Sequence, residues 1–196
     1  MPHRAEIGRI LAAALAAVAC TASSCGAGES LAREHAWAEP LEGPGLENLH
    51  RVSAGLYRGA QPDREGFETL AGMGIRTVVN LRADHSDTLL VEGLGLEYVE
   101  IPMTPDKVTD GQVAAFLEVA RDPLLAPVFV HCQHGADRTG VMVAAYRVAV
   151  EGWKREEAIA EMTRGGFGYH SVWKGLVEYM RTFDPERVGS AGAAAK

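Results

Sequence analysis

One stretch constrains this chain more than any other: His131-Cys132-Gln133-His134-Gly135-Ala136-Asp137-Arg138-Thr139-Gly140. A cysteine and an arginine six positions apart bracket a loop that carries a glycine. Ahead of it lies Ala126-Pro127-Val128-Phe129-Val130, short, branched and bounded by proline, which predicts a buried strand. Behind it runs Val141-Met142-Val143-Ala144-Ala145-Tyr146, apolar and free of proline, which predicts a buried helix. Strand, loop and helix in that order let backbone N–H groups at a helix N-terminus converge on an anion.

Each residue type in the loop has chemistry available to it. Thiolate is the reactive form of cysteine, and helix N-termini and nearby cations lower its pKa below the free value of about 8.5. Cys132 would stand as a nucleophile facing a ring of N–H donors. Arg138 offers a planar fork for two phosphoryl oxygens. Gly135 lets the backbone turn without a side chain obstructing the anion. Thr139 is placed to donate its hydroxyl hydrogen to the Cys132 sulfur, and His131 to fix the loop from behind. Such a nest favours a trigonal, charge-spread phosphoryl group in transit between two partners.

The pattern His-Cys-x5-Arg-Thr-Gly resembles the signature loop of the cysteine-dependent protein tyrosine and dual-specificity phosphatases. Leu56-Tyr57-Arg58-Gly59-Ala60-Gln61-Pro62 and Val78-Val79-Asn80-Leu81-Arg82 are similar to upstream segments of compact bacterial dual-specificity-like members. The likeness spans Leu49 to Phe183. A Cys-x5-Arg pair alone also fits arsenate reductase and rhodanese-like loops; His131, Gly135 and Thr139 with the flanking strand and helix favour the phosphatases. The resemblance implies a protein tyrosine phosphatase-like fold and hydrolysis of phosphate monoesters through a phospho-cysteine, with no cofactor and no metal. Cys132, Arg138, Thr139 and His131 would be catalytic, and Gln133, His134, Gly135, Ala136 and Asp137 would hold the phosphate with Cys132 and Arg138. Phosphotyrosine on a protein is the first substrate class implied, and phosphoinositides or inositol phosphates the alternative. A phosphate-binding interaction module with weak turnover is the alternative of another class.

That chemistry needs a general acid for the leaving oxygen. In the resembled family an aspartate upstream of the cysteine usually serves, which leaves Asp106 and Asp110. Asp110 falls in the first turn of a capped helix, where the dipole favours the carboxylate and makes a poorer acid. Asp106 follows Pro105 in an uncommitted loop. A third candidate is Asp137, next to Arg138 as in myotubularin-like lipid phosphatases; it would otherwise orient Arg138 or cap the next helix. Asp106 and Asp137 both stand. His134 adds positive charge toward an acidic substrate or faces solvent. Arg58, Gln61, Asn80 and Arg82 resemble family positions packed under or beside the site; Arg58 and Arg82 are expected to buttress the loop by salt bridges, with substrate contact as the alternative. Tyr169 and His170 line the mouth or simply pack.

The 196 residues suffice for one domain with a proper core. A formal charge of -7 without a basic run argues against nucleic acid as partner. Three cysteines, two near the N-terminus, make no disulfide framework. Arg4 and Arg9 precede an apolar run, Ile10 to Ala19, too short to span a bilayer. Ala17-Val18-Ala19-Cys20 fits a cleavage site and also a lipoprotein box, although Ala17 stands where leucine is usual. Residues 1–19 are therefore expected to be a signal peptide. The protein is expected to be exported, with membrane attachment through a lipidated Cys20 as an option. Residues 20–45, rich in Ser, Gly, Ala and Glu, read as a flexible linker. Residues 46–184 read as the phosphatase-like domain and 185–196 as a loose tail. Within the domain, a hairpin over 48–58 is followed by alternating helices and strands, the first helix starting at Pro62-Asp63 and carrying Phe67 and Leu70 inward, with Met73 as a further option. Thr109 and Gln112 form a capping box, and Ser171 caps a last helix carrying Trp173, Leu176, Val177 and Met180. Strands separated by helices give an α/β fold with a central, mostly parallel sheet flanked by helices.

Overall fold

The computed structural model describes residues 35–194. The expected signal peptide, Cys20 and most of the expected linker lie outside them. Six strands form one sheet: β1 (Glu39–Pro40), β2 (His50–Arg51), β3 (Leu56–Gly59), β4 (Thr77–Arg82), β5 (Glu97–Met103) and β6 (Val128–His131). Their spatial order is β1-β2-β3-β6-β4-β5. The β3–β6, β6–β4 and β4–β5 pairs are parallel, and only the short β1–β2 and β2–β3 pairs are antiparallel. The fold is the α/β arrangement expected, with crossover helices between the parallel strands.

The strand that leads to Cys132 is the centre of the sheet, flanked by β3 and β4. Val128 and Val130 face a larger core with α3 (Asp110–Arg121), α4 (Asp137–Ala149), α5 (Arg155–Arg164) and α6 (Lys174–Arg181). Phe129 points the other way, into a smaller cluster with Phe67 and Leu70 of α1 (Arg64–Gly72) and Val91 of α2 (Thr88–Val91). Burial on both faces explains why the segment reads as a continuous apolar run instead of an alternating one. Truncating a buried aromatic of this kind costs roughly 3–5 kcal/mol, so the platform under the loop is firmly held. The capping box at α3 is present: Thr109 Oγ1 accepts from Gln112 N, and Gln112 Oε1 accepts from Thr109 N at 3.0 Å.

Four expectations are corrected. The stretch from Pro185, expected to be loose, forms α7 (Pro185–Ala194). Proline suits the first helical turn, Val188 is buried in the main core, and Arg187 reaches back to Asp110. Part of the expected linker belongs to the domain: β1 pairs with β2, the His35 ring stacks on Trp153, and Ala38 N donates to Glu161 Oε1. Ser171 does not cap α6; Trp173 occupies the cap position without a side-chain bond. Met73, expected inward on α1, follows the helix end and is 40 % exposed.

Candidate active site

The loop between β6 and α4 closes on itself because Gly135 permits it. Gly135 has φ +67°, and a Cβ there would run into Gly59 C and O at the end of β3. No other residue tolerates both the left-handed backbone and that approach. Arg138 and Thr139 sit in the first turn of α4, whose dipole favours an anion over the loop.

Cys132 is 2 % exposed, at the floor of the loop. Burial alone would push its thiol up. The Thr139 hydroxyl, the Thr139 backbone N–H, the Arg138 charge and the His134 backbone N–H together outweigh burial, and the thiol lies below its ordinary range. Thr139 Oγ1 is itself buried, with no partner at full hydrogen-bond geometry, so its hydroxyl is uncommitted beside the sulfur. Among the described residues Arg138 donates only to Met103 O, at 3.3 Å, and its Nε is buried without a partner. Gln133 and His134 are exposed at the rim, whereas Ala136 is buried.

Behind the loop stand two buried groups. Arg58 is fully buried and donates to Gly135 O at 2.6 Å, with its guanidinium over the Phe167 ring at 3.7 Å. Burial draws its pKa down to about 10, far enough above neutrality that it stays cationic. The expected salt bridge is replaced by a carbonyl and an aromatic face. His131, also fully buried, lies 3.4 Å by Nδ1 from Cys132 O and 3.2 Å by Nε2 from Asp87 Oδ2. Asp87 is the residue that sequence reasoning missed. It precedes α2 at the cap position, yet its carboxylate makes no cap bond and turns inward. There it accepts from Gln61 Nε2 at 2.6 Å and faces His85 Nε2 at 3.1 Å. Burial would raise its pKa, but His131 and Gln61 hold it below the ordinary carboxylate range. Its only sequence signal was an aspartate two residues after a histidine, which reads equally well as a helix start.

A pocket of about 230 Å³ opens beside the loop, lined by Gln133, Arg138, Met103, Thr104 and Pro105 and, from the β4 end, by Arg82, Ala83 and Asp84. Among the described residues Arg82 makes no salt bridge; its Nη1 donates to Gln61 Oε1 at 3.1 Å. Asn80 is buried and its Oδ1 accepts from Arg82 N at 2.8 Å.

The candidate acids part company. Asp137 is buried and both carboxylate oxygens are engaged by His170, through backbone N and Nδ1, each at 2.8 Å. It pins the 165–173 loop to α4 and does not orient Arg138. Asp110 accepts from Tyr179 and Arg187, and Arg187 first among them holds it below the usual carboxylate range, which suits a structural anion and not an acid. Asp106 is exposed on the loop between β5 and α3, one residue past the pocket-lining Pro105, with its backbone carbonyl against Gly175. Asp84, which lines the pocket directly, was not singled out in the sequence. Tyr169 donates to Trp173 O, a packing role, and His170 lies 5.5 Å from the His134 ring. Among the described residues no group of three His, Cys, Asp or Glu is arranged to hold a metal ion.

A family profile described as "DSP-PTPase phosphatase fused to NAD+ Kinase" matches residues 44–173. The chain belongs to this dual-specificity phosphatase family. It is 33% identical over 186 residues to the dual specificity protein phosphatase TpbA of Pseudomonas aeruginosa, covering 93% of this chain and 84% of that one. The crystal structure of a TpbA cysteine-to-serine variant in complex with pTyr superposes with a TM-score of 0.71 at 31% identity, over 83% of this chain and 99% of that one. An Arabidopsis thaliana protein named inositol diphosphatase DSP3 is 28% identical over 58% of this chain and 60% of its own length. The phosphatase is thus a cysteine-dependent hydrolase of phosphate monoesters. The arrangement can carry that chemistry: a thiolate at Cys132 is placed to attack phosphorus while the ester P–O bond breaks and the leaving oxygen takes a proton. Water attacking such a phospho-cysteine would release phosphate and restore the thiol. Arg138 and the loop N–H groups are placed to hold the equatorial oxygens through both steps.

Proposed function

We propose that this phosphatase acts outside the cytoplasm on phosphotyrosine-bearing protein, with Asp106 as the general acid. One observation carries the reading. The half-partnered Arg138, six residues after the lowered Cys132 thiol, lines a pocket of about 230 Å³ whose lining reaches Pro105, the residue before Asp106. The TpbA variant's complex with pTyr supports an aryl phosphate as the substrate class. Asp106 makes no side-chain hydrogen bond or ion pair among the described residues, so it is free to turn toward a leaving oxygen; Asp137 is committed to His170. Small phosphorylated inositols are a second reading, favoured by the second guanidinium that lines the pocket.

The test is phosphate release, without added metal, from phosphotyrosine peptides, inositol phosphates and phosphoinositides. Asp106→Asn is expected to slow alkyl phosphates by roughly 10²–10⁴-fold while sparing p-nitrophenyl phosphate, whose acidic phenol leaves unprotonated. A uniform loss across leaving groups, or a selective loss in Asp137→Asn instead, would remove Asp106 from the role. Export rests on Arg4, Arg9 and the apolar run to Ala19. Expressed in a bacterium, the chain is expected to lose its first nineteen residues, and a lipidated Cys20 would carry it to the membrane fraction. Intact Met1 on a cytosolic protein would overturn this.

A further inference from the structure

We propose that Asn48 is a positioning residue for phosphoryl transfer: it holds the His134–Gly135 peptide so that the Gly135 N–H faces the bound phosphoryl group. The proposal rests on the reading of Cys132 and Arg138 as the phosphatase centre. It adds to that centre a residue 86 positions from its partner in the loop.

Peptide geometry is the first argument. In a trans peptide the carbonyl and the following N–H point in opposite directions, so a donor that fixes one fixes the other. The loop peptides are all trans, and three successive loop carbonyls are each held by a donor from outside the loop. Gln61 N donates to Gln133 O at 3.2 Å, Asn48 Nδ2 to His134 O at 2.9 Å and Arg58 Nη2 to Gly135 O at 2.6 Å. The N–H groups of His134, Gly135 and Ala136 are thereby turned away from those donors. The His134 N–H, which supports the Cys132 thiolate, shows the sense of that turn. A run of N–H groups set in this way makes an anion-binding nest.

The backbone of Asn48 is the second argument. Its φ is +53°, a left-handed conformation that no other non-glycine residue among the described ones adopts. Asparagine tolerates that conformation better than most residues, and it persists where the surroundings over-determine it. Here they do: Ala60 N donates to Glu47 O at 2.9 Å, Leu49 is buried, and His50 Nδ1 lies 2.9 Å from Asn48 O.

The partners of Asn48 are the third argument, because they close a ring around the loop. Its amide also donates to Phe167 O at 2.9 Å. The Phe167 ring lies 3.7 Å from the Arg58 guanidinium, and Arg58 grips the next loop carbonyl, Gly135 O. Of the three clamps, Gln61 acts through its main chain and Arg58 is fully buried. Asn48 is half-buried, so its side chain can be removed without opening a cavity in the core.

The test uses the full chain carrying Asn48→Gly, which keeps the left-handed backbone and removes both donors. In the Cys132→Ser background, the Gly135 amide proton is expected to move downfield in NMR spectra when inorganic phosphate is added. Asn48→Gly should lose most of that movement, and calorimetric phosphate affinity should fall about tenfold, the worth of one hydrogen bond to a charged group. With Cys132 intact, kcat/KM for p-nitrophenyl phosphate should fall by a similar factor. The acidic limb of Cys132 alkylation by iodoacetamide should stay in place, because the His134 N–H is held through Gln61 and not through Asn48; its retention verifies that the loop is folded. A merely structural tie would lower the midpoint of thermal unfolding and leave phosphate affinity and the Gly135 resonance unchanged, and that result overturns the proposal. So does a limb that moves together with the affinity, since the loop would then have lost its shape as a whole. No phosphate binding by Cys132→Ser, with no turnover of p-nitrophenyl phosphate by the wild type, would overturn the phosphatase centre and the proposal with it.

Discussion

Arg147 and Arg138 stand on the same helix, nine residues apart, and their guanidinium groups are treated in opposite ways. Arg147 is buried and closed on every side. Its Nε and Nη2 grip Glu161 at 2.8 and 2.7 Å, its Nη1 meets Glu151 at 2.6 Å and Val52 O at 3.1 Å, and its plane lies 4.1 Å from the centre of the Trp153 ring. Burial would lower its pKa, but Glu161 and then Glu151 more than offset that, and it lies above its ordinary value. Arg138 has one long bond to a carbonyl and a buried Nε with no partner. Arg58, between the two in character, is fully buried yet has only a carbonyl and an aromatic face. The molecule completes a cation where it joins α4, α5 and the N-terminal segment, and leaves it incomplete where a phosphoryl group is to arrive. A guanidinium with most of its donors unspent beside an anion-binding loop is ready to take a phosphoryl group.

The largest effect tests the open end. Arg138→Ala is expected to lower kcat/KM by roughly 10²–10³-fold or more, and Cys132→Ser to bring turnover to background while phosphate still binds. Unfolding free energy should move by less than about 1 kcal/mol in Arg138→Ala, because the guanidinium has no carboxylate to lose. A stability loss as large as the activity loss would break the contrast.

The closed end should answer the other way. Glu161→Ala leaves Arg147 buried with much of its charge unmatched and takes the acceptor from Ala38 N, so about 3–5 kcal/mol of stability should disappear. Denaturant unfolding measures it, and turnover of the fraction that remains folded should stay within about twofold. Replacing both partners with apolar residues of similar volume should recover most of the loss, since the pair's own desolvation is then removed as well. If the double replacement is as unstable as the single one, the pair contributes more than mutual compensation.

These two ends were not equally visible in the sequence. The catalytic loop was legible because its chemistry is local: Cys132, Gly135, Arg138 and Thr139 fall within eight positions, and the strand and helix around them announce themselves by unbroken apolar runs. The mostly parallel sheet followed from alternating helices and strands, but its strand order did not. Glu161 was illegible, since a glutamate inside Arg155–Arg164 reads as a solvated face. Only the return of residue 38 to α5 buries it, and that contact spans more than a hundred positions. Asp87 was hidden for a related reason: a side chain at a helix start was drawn inward by a histidine on another strand. The tail was misjudged because Gly and Ala composition outweighed one Pro185 start and one Val188 anchor.

The smallest expected effect sharpens the contrast at the nucleophile itself. Cys132 is buried, which alone raises its pKa, and the net lowering depends on groups that face the sulfur, with the Thr139 hydroxyl first among them. A lowered pKa keeps the thiolate present down to a pH below that of an ordinary thiol, so the acidic limb of Cys132 alkylation by iodoacetamide should lie below the free-cysteine range. Thr139→Ala removes the hydroxyl that favours the thiolate, and the sign follows from that preference. The thiolate loses support, the pKa rises, and the limb moves to higher pH. Glu161→Ala should leave the limb where it was, because that carboxylate is matched to Arg147 and away from the sulfur. A profile that shifts with Glu161 and not with Thr139 would mean that the thiol is set by the buried charge network as a whole and not by the donors of its own loop.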